Sequence, residues 1–346
     1  MKQCQKYNIF NPLMNTPMVK GFKAILFVAV TAIYAVSCVR GDNPINRPDN
    51  RRNDGGVQFL GPGWSKVAVP NNCLDVFFTN DTAGYLAGNG IYRSMDGGQT
   101  WNKTNAQDLV YYNLYFLNDK YGWGVSEKAL ARTVDSGKTW QTLTSTFSFT
   151  DIYFLDENNG FAVSPSGVLK STDGGSTWSL LTGSPTNAYN LVFRDANNGF
   201  FSTSSKGLYA TTDGGATFSR ISALPASMYS VQFLSSDPLK GYTIGVPNPD
   251  NLLGDVYKTQ DGGATWTKLI SINDNYFDFH FGNGDKGFVM TPNMVFKVEN
   301  NVSTKVLYTP IPSNNQVYLT ECHFTDDLDR GWVIYNGGTL FRYVQP

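Results

Sequence analysis

Polar side chains recur at one register of the sequence, three residues before each of seven phenylalanines that end a short apolar segment. Four are carboxylic acids, two are amides and one is a hydroxyl: Asp75, Asn113, Asp151, Asn190, Ser230, Asp278 and Glu321. Two carboxyl groups at a suitable separation are sufficient for the acid–base chemistry of a glycosidase. The same groups can bind a sugar, a peptide segment or a cation. They can also cap backbone N–H groups, which is the usual role of a buried polar side chain.

Aromatic rings stand one residue before this polar position in four of the repeats, at Tyr112, Tyr189, Tyr229 and Phe277. We expect these rings to border the polar side chains. His280 and His323 each stand one residue before their phenylalanine, and we interpret them as core histidines. Neither is paired with a serine or cysteine in a motif of nucleophilic catalysis, so the residue types indicate no catalytic triad.

An octapeptide that occurs five times indicates the elements that position these residues. It reads Ser/Thr-x-Asp-Gly/Ser-Gly-x-Thr-aromatic, and its aspartates are 39, 38, 40 and 48 residues apart: Asp96, Asp135, Asp173, Asp213 and Asp261. Such a period is typical of a solenoid, a propeller or an array. The carboxylate can accept hydrogen bonds from N–H groups ahead of it, and the following glycine supplies positive φ. We therefore interpret these aspartates as structural turn residues.

A second pattern raises the number of repeats to seven. Each marker phenylalanine is followed about six residues later by glycine and an aromatic residue, and the markers are Phe78, Phe116, Phe154, Phe193, Phe233, Phe281 and Phe324. Each repeat divides into four strands, which in the third repeat we predict at about 151–155, 160–164, 168–171 and 177–181. Four antiparallel strands in every ~40 residues are typical of a propeller blade.

The ends of the repeat region predict how the ring closes. The seventh repeat contains only three strands, and the segment 64–67 resembles the start of the fourth strand at 266–269. We therefore predict that the N-terminal strand completes the last blade and removes the open sheet edge. The predicted fold is all-β, a seven-bladed β-propeller of four-stranded antiparallel blades over residues 63–346.

Composition excludes several classes of site. The 346 residues carry a net charge of −1, so no electrostatic footprint for nucleic acid is present. Two histidines and four cysteines without metal-ligand spacing predict no metal site, and no motif calls for a cofactor. Cys73 and Cys322 fall in blades that ring closure makes neighbours. They form either a disulfide or two separate buried thiols.

The N-terminal segment predicts export and lipidation. A short basic segment at 20–23 precedes an apolar run at 24–36, which is too short to span a bilayer but fits the core of a signal peptide. The run ends in a small-residue motif before Cys38 that resembles a bacterial lipobox. We predict a signal peptide at 1–37, a lipidated Cys38 followed by a flexible tether to residue 62, and a location in the cell envelope, periplasmic or at the cell surface.

The octapeptide resembles the Asp-box (BNR) repeat, and the whole pattern over about 63–346 resembles the photosystem II stability/assembly factor family of seven-bladed propellers. The resemblance is specific for the fold and says little about function, because Asp-boxes also occur in sialidases, xyloglucanases and sortilin receptors. A sialidase-like or glycosidase enzyme that uses channel carboxylates is the alternative to a binding scaffold. The Arg-Ile-Pro segment of sialidases is absent, and only four glutamates occur. We expect a non-catalytic monomer that binds a protein or glycan and touches the membrane only through its lipid.

The repeat also predicts which face binds. Loops that join strand d to strand a and strand b to strand c form the upper face, whereas the Asp-box turns lie on the lower face. An insert at 245–254 lies between strands b and c of blade 5, hence on the upper face, and an irregular loop in a regular repeat often carries specificity. At the lower rim we expect the cations that end strand c: Arg93, Arg132, Lys170, Lys258, Lys297 and Arg342, with Ala210 as the exception.

Overall fold

The computed structural model describes residues 58–70, 72–127, 129–203, 206–248, 253–272, 278–309, 319–335 and 338–346. The chain divides into two units, Met1–Val39 and Arg40–Pro346, and all described residues belong to the second. The predicted signal peptide, Cys38 and most of the tether therefore lie outside the described residues. Within the described ranges, no helix is long and apolar enough to cross a membrane.

Seven antiparallel sheets form the seven predicted blades, and the strands labelled a to d follow one another across each sheet. The a strands of successive blades contact one another around a central axis. The first four blades have these strands: Asp75–Phe78, Gly84–Gly88, Gly90–Ser94 and Asn102–Lys103; Tyr111–Phe116, Gly122–Ser126, Ala129–Thr133 and Gln141–Thr144; Asp151–Phe154, Gly160–Ser164, Gly167–Ser171 and Ser179–Leu180; Ala188–Phe193, Gly199–Thr203, Gly207–Thr211 and Ser219–Arg220.

The last three blades are less regular. Their strands are Ser227–Phe233, Gly241–Asn248, Leu253–Thr259 and Thr267–Ile272 in blade 5; Asp278–Phe281, Gly287–Met290, Met294–Glu299 and Val302–Tyr308 in blade 6; and Leu319–Phe324, Arg330–Tyr335, Thr339–Val344 and Trp64–Ala68 in blade 7. A 3₁₀ turn at Asn283–Asp285 joins strands a and b of blade 6. Trp64 pairs with Tyr343 and Ala68 with Thr339, which confirms the predicted closure by the N-terminal strand.

The boundary predicted for the tether is wrong at its C-terminal end. Phe59–Leu60 forms a fifth strand on blade 6, where Phe59 pairs with Tyr308 and Leu60 with Leu307. Leu60 also packs against the apolar layer between blades 6 and 7. Because the outer strand of blade 6 is long and would otherwise leave an open edge, the segment gains backbone hydrogen bonds by adding to it.

The marker pattern has a packing explanation. Each marker phenylalanine pairs across the strands with the glycine of its own Gly-aromatic pair, as Phe154 does with Gly160. A Cβ atom on Gly160 would lie 2.5 Å from the Phe154 ring, so only glycine fits beneath it. The aromatic residue that follows stacks on the marker of the next blade: Trp123 lies 3.7 Å from Phe154 and Trp332 lies 3.6 Å from Phe78, centroid to centroid. This contact joins consecutive blades around the ring, and each stack stabilises by about 0.5–1.5 kcal/mol beyond its buried area.

Candidate functional site

The predicted polar positions lie within the first four residues of strand a in each blade, towards the upper end of the central axis. Asp75 shows their main role: its Oδ1 accepts a hydrogen bond from Val76 N at 2.7 Å, and its Oδ2 accepts one from Leu114 N of the next blade at 2.6 Å. The buried carboxylate therefore latches blade 1 to blade 2. This is the capping role that a buried polar side chain most often has.

The latch recurs at the junctions of blades 3 and 4 and of blades 4 and 5, where different side chains form it. Asp151 Oδ2 accepts hydrogen bonds from Asn190 Nδ2 at 2.9 Å and from Leu191 N at 3.2 Å, which joins blades 3 and 4. Asn190 Oδ1 in turn accepts one from Val231 N at 2.9 Å, which joins blades 4 and 5. A carboxylate and an amide therefore serve equally as acceptors at this register. Ser230 is too short for a comparable bond; its hydroxyl points back to Asn190 at 3.5 Å.

Asn113 departs from the pattern. Its Oδ1 is buried and has no hydrogen-bond partner among the described residues. The N–H that it would cap, that of Ile152, is bonded to Asp151 Oδ1 at 2.9 Å within its own blade.

The junction between blades 6 and 7 brings two carboxylic acids together. Asp278 Oδ2 accepts hydrogen bonds from Cys322 N and Cys322 Sγ, both at 3.1 Å, and the Glu321 carboxyl is hydrogen-bonded to Asp278 as well. Burial, followed by repulsion from Glu321, raises the pKa of Asp278 well above its ordinary value. Such an arrangement favours one retained proton between two carboxyl groups.

The predicted aromatic rim is only partly present. Tyr112 is buried in the apolar layer between blades 2 and 3, where its hydroxyl donates to the carbonyl oxygens of Ser126 and Phe149. Its side chain turns away from the axis, so the prediction that it borders the channel is wrong. Tyr189 and Tyr229 are half-buried on adjacent blades, and burial, with Tyr189 nearby, raises the pKa of Tyr229. Phe277 lies outside the described residues.

The sequence analysis did not identify a second tier of side chains that faces the central axis. It stands two residues after each polar position, on the same face of strand a, and comprises Phe77, Tyr115, Tyr153, Val192, Gln232, His280 and His323. All are half-buried, and several touch their neighbours. The ring centroids of Phe77 and His323 are 4.8 Å apart, and those of Tyr115 and Tyr153 are 5.1 Å apart. Side chains two residues apart on a strand share one face, so the polar register on strand a could have predicted this tier.

The second tier also bonds from blade to blade. Tyr115 donates its hydroxyl to Phe154 O at 2.7 Å, and Gln232 bonds to both N and O of Phe281 at 2.9 and 3.0 Å. Burial lowers the pKa of His280 to about 4, and burial together with His280 lowers the pKa of His323 to about 3. The two imidazoles are therefore neutral near pH 7.

The insert in blade 5 lengthens the b–c hairpin on the upper face, as predicted. Strands b and c pair as far as Asn248 and Leu253, and strand d follows them, with Gly254 opposite Ile272. Asp255 is buried in this extension. Its Oδ1 accepts a hydrogen bond from Ser271 Oγ at 2.6 Å and forms an ion pair with Lys268 Nζ at 3.0 Å. This carboxylate holds the outer two strands of the extension together.

The Asp-box forms the predicted turn on the lower face. In blade 3, Asp173 Oδ1 accepts a hydrogen bond from Thr177 N at 2.9 Å, and its Oδ2 accepts one from Thr177 Oγ1 at 2.6 Å. Hydrogen bonds from Thr217 and Thr211 lower the pKa of Asp213 to about 2 by the same geometry. Because the turn itself occupies both carboxylate oxygens, these aspartates are poor candidates for catalysis.

The cations at the end of strand c lie opposite the aromatic residue of strand b. Arg132 pairs across the strands with Trp123 and places its guanidinium 5.8 Å from that ring. In blade 4, where Ala210 replaces the cation, Arg194 from the a–b loop reaches the same place, 5.9 Å from Phe200 and 5.6 Å from Phe233. Arg194 therefore replaces the missing strand-c cation of blade 4, and the repeat pattern did not predict this.

The two cysteines are free, buried thiols in the structure, so the disulfide is not formed. Cys322 packs in the layer between blades 6 and 7, whereas Cys73 packs between blades 7 and 1 and donates its Sγ to Pro70 O at 3.1 Å. Their side chains therefore lie on opposite faces of blade 7. Ring closure makes the blades neighbours, but strand alternation turns Cys322 to the far side.

Two of the cavities among the described residues lie on the lower side. One of about 250 Å³ lies between blades 6 and 7 and is lined by Lys286, Lys297, Glu299 and the loop 326–329. The other, of about 310 Å³, lies beside the first two Asp-boxes and includes Arg93, Lys103 and Lys138. No group of three or more His, Cys, Asp or Glu side chains in the described ranges is placed to hold a metal ion.

Comparisons with known proteins agree with this architecture. A family model described as photosynthesis system II assembly factor YCF48 matches residues 61–146. No curated protein matches the chain by sequence. Among solved structures, "YCF48 bound to D1 peptide" superposes with a TM-score of 0.62 at 15% identity, covering 82% of this chain and 96% of that one.

Two further structures show how widely the fold is shared. YCF48 from Cyanidioschyzon merolae gives a TM-score of 0.62 at 15% identity over 82% of this chain and 98% of that one. The GH74 enzyme of Niastella koreensis gives 0.62 at 18% identity, but only 53% of its own length is covered. At these identities the likeness shows the fold alone. The chain is therefore a seven-bladed β-propeller of the Asp-box (BNR) type.

Proposed function

We propose that this propeller is a non-catalytic scaffold that binds a segment of a partner protein on its upper face. The proposal rests on one observation: the channel carboxylates join neighbouring blades by hydrogen bonds, so they serve the structure of the ring. Asp75 and Asp151 each accept a backbone N–H from the following blade, so they act in the structure of the ring. A comparable propeller, YCF48, has been solved with a peptide bound, and this supports a protein partner over a glycan.

Glycosidase chemistry, the alternative, is not favoured by the same geometry. A retaining enzyme needs two carboxyl groups about 5–5.5 Å apart, and an inverting enzyme needs about 6.5–9.5 Å, with one group free to act as acid. Asp278 and Glu321 are instead in direct hydrogen-bonding contact, and Asp278 also caps Cys322 N. The GH74 likeness supports a shared scaffold, and glycan binding stays the second candidate.

The proposed contact sector lies at blades 4 to 6, where the upper face is least regular. It combines the extended hairpin of blade 5 with the half-buried rings of Tyr189 and Tyr229. Asp255 and its partners stiffen the hairpin, which makes it a suitable wall for an extended peptide.

We also propose that the protein acts outside the cytoplasm and is held to a membrane by a lipid on Cys38, as the basic–apolar–Cys order of 20–38 predicts. Radiolabelled fatty acid should be incorporated into the wild-type protein and not into Cys38→Ala. Equal incorporation in both would remove the lipid anchor from the proposal.

The binding proposal is tested with the double variant Tyr189→Ser/Tyr229→Ser and a lower-face control, Lys138→Glu, which changes an exposed side chain. Partners are captured from envelope extract, and a glycan array is probed in parallel with each protein. We expect the tyrosine variant to lose its protein partner while it melts within a few degrees of wild type, and the control to retain it. Retention by the tyrosine variant and loss by the control would place the site on the lower face. Cleavage of an array glycan would favour the enzyme.

A further inference from the structure

The junction between blades 6 and 7 differs chemically from the other latched junctions. At the junction of blades 3 and 4 the side chains in contact are a carboxylate, Asp151, and an amide, Asn190, whose N–H donates at 2.9 Å. At the junction of blades 6 and 7 the corresponding residues are Asp278 and Glu321, two carboxylic acids. Two carboxylates cannot hydrogen-bond to each other unless one of them carries a proton.

The same carboxyl group also holds the neighbouring blade. Asp278 Oδ2 accepts both Cys322 N and Cys322 Sγ at 3.1 Å, so the group that contacts Glu321 also caps strand a of blade 7. Cys322 lies in the apolar layer between the two blades with Phe324 and Val333. If both acids ionise, repulsion acts directly on this latch.

We propose that Asp278 and Glu321 share one proton, and that loss of this proton loosens the upper end of the junction between blades 6 and 7, so that the stability of this junction depends on pH. The proposal goes beyond the binding function and does not rest on it. It concerns the stability of one junction, which is measured without any ligand.

Among the described residues, the ionisable groups that act on Asp278, Cys322 and His323 are acidic or are neutral near pH 7. The groups that act on Asp278 are Glu321 and Cys322, and Asp75 on the next blade adds negative charge near Cys322. His280 and His323 stand one tier below, each with a pKa near or below 4, and Asp326 acts on His323. The imidazoles are neutral where the pair loses its proton.

The direction of the pH effect follows from the raised pKa of Asp278. The folded protein holds a proton that the unfolded chain releases above the ordinary carboxyl pKa of about 3.9. The contribution of the pair is therefore complete below that value and is lost as pH rises through the raised pKa. For one proton, the folding equilibrium constant falls about tenfold per pH unit across this interval.

The chain supplies matched variants for the test. Glu321→Gln converts the junction into the carboxylate–amide arrangement seen at Asp151 and Asn190, and Asn190→Asp converts that junction into an acid pair. Unfolding by urea is measured from pH 4.5 to 9 for wild type and each variant. The histidine contributions cancel in the difference between a variant and wild type.

Relative to wild type, Glu321→Gln should gain stability as pH rises, by up to tenfold in the folding constant per pH unit, and Asn190→Asp should lose it. Hydrogen exchange at the Cys322 amide, corrected for its intrinsic rate, should be faster at pH 8.5 than at pH 5 in wild type. The difference should be smaller in Glu321→Gln, where only burial still raises the pKa of Asp278. A difference between Glu321→Gln and wild type that does not change with pH would overturn the proposal. If the variants do not fold, the infrared band of a protonated carboxyl in wild type decides the question, and its absence at pH 5 refutes the shared proton.

Discussion

Blades 1 to 5 carry an Asp-box, and blades 6 and 7 do not, yet every blade places an aromatic residue against the marker phenylalanine of the next blade. The rings are stacked at six junctions and tilted at the seventh, between Phe200 and Phe233. At three of the junctions where the next blade has a box, strand b also bonds to that box, as Trp123 Nε1 does to Gly174 O at 2.9 Å. At the junction of blades 5 and 6, where the box is missing, Asp285 of the 3₁₀ turn takes its place and binds Tyr242 OH at 3.0 Å and Lys258 Nζ at 2.5 Å.

The difference separates two tasks. The aromatic contact is common to every junction and holds the ring, whereas the box is one of several ways to close the lower side. The blades without a box also hold the unusual chemistry of the channel: the acid pair Asp278 and Glu321 and both histidines. Regular repeats therefore supply the frame, and the irregular sector is where a specific function is most readily placed.

The largest effect is expected from breaking the stack itself. Trp123 is fully buried, and Trp123→Ala should lower the free energy of unfolding by about 3–5 kcal/mol through loss of buried area and the cavity left behind. Phe288→Ala, at a junction without a box, should cost a similar amount, because its ring stacks 4.1 Å from Phe324. Urea denaturation measures both. A cost below about 1 kcal/mol for Phe288→Ala would mean that the two kinds of junction differ in their main contact.

The second effect belongs to the histidines of blades 6 and 7. Their pKa values of about 4 and about 3 lie below the unfolded value of about 6.5, so the stability they contribute is complete above pH 6.5 and is lost as pH falls towards 4. Each imidazole should lower the folding constant by up to about tenfold per pH unit over this range. His280→Phe should therefore lose less stability than wild type between pH 7 and pH 5, and equal losses would contradict the buried neutral state.

A smaller effect is expected within the box. Asp173→Ala should cost about 1–2 kcal/mol, because the hydrogen bonds to Thr177 and Ser171 are lost at a partly exposed turn. Thr172→Ala, in the same turn but exposed, is the matched control and should change little. Ligand binding per folded molecule should survive both changes, and a variant that keeps its melting temperature but loses its partner would give the box a functional role.

The smallest effect tests the replacement in blade 4. Arg194→Ala should cost about 0.5–1 kcal/mol, the usual value of a cation–π contact near the surface. Ala210→Lys alone should be nearly neutral, since the guanidinium of Arg194 already occupies the face of Phe200. In the double variant Arg194→Ala/Ala210→Lys, the introduced lysine restores the cation that the other blades carry, so the cost should shrink. If the double variant instead loses as much stability as Arg194→Ala alone, Arg194 does not act through its contact with Phe200.

Local periodicity was enough to predict the number of blades and the closing strand, and it revealed the marker pattern but not the stack between blades that explains it. In blade 3 the predicted strands differ from the observed ones by two residues or fewer at each end, with strand d at Ser179–Leu180 the shortest. The site was predicted less well. The polar register was correct as a position, but Tyr112 turned into the core, and the second tier with Tyr115 and Gln232 was not recognised as a lining.

The sequence by itself determined the features that repeat, because each blade must bury the same two faces and each turn needs the same Asp-Gly chemistry. Tertiary structure decided what depends on contacts between distant residues. It placed Arg194 where Ala210 leaves a gap, added Phe59–Leu60 to blade 6, turned Cys73 and Cys322 to opposite faces of blade 7, and brought Asp278 against Glu321. The physical reason is that a single repeat specifies its own hydrogen bonds and core side, whereas the partner at a junction belongs to the next blade, about 40 residues away.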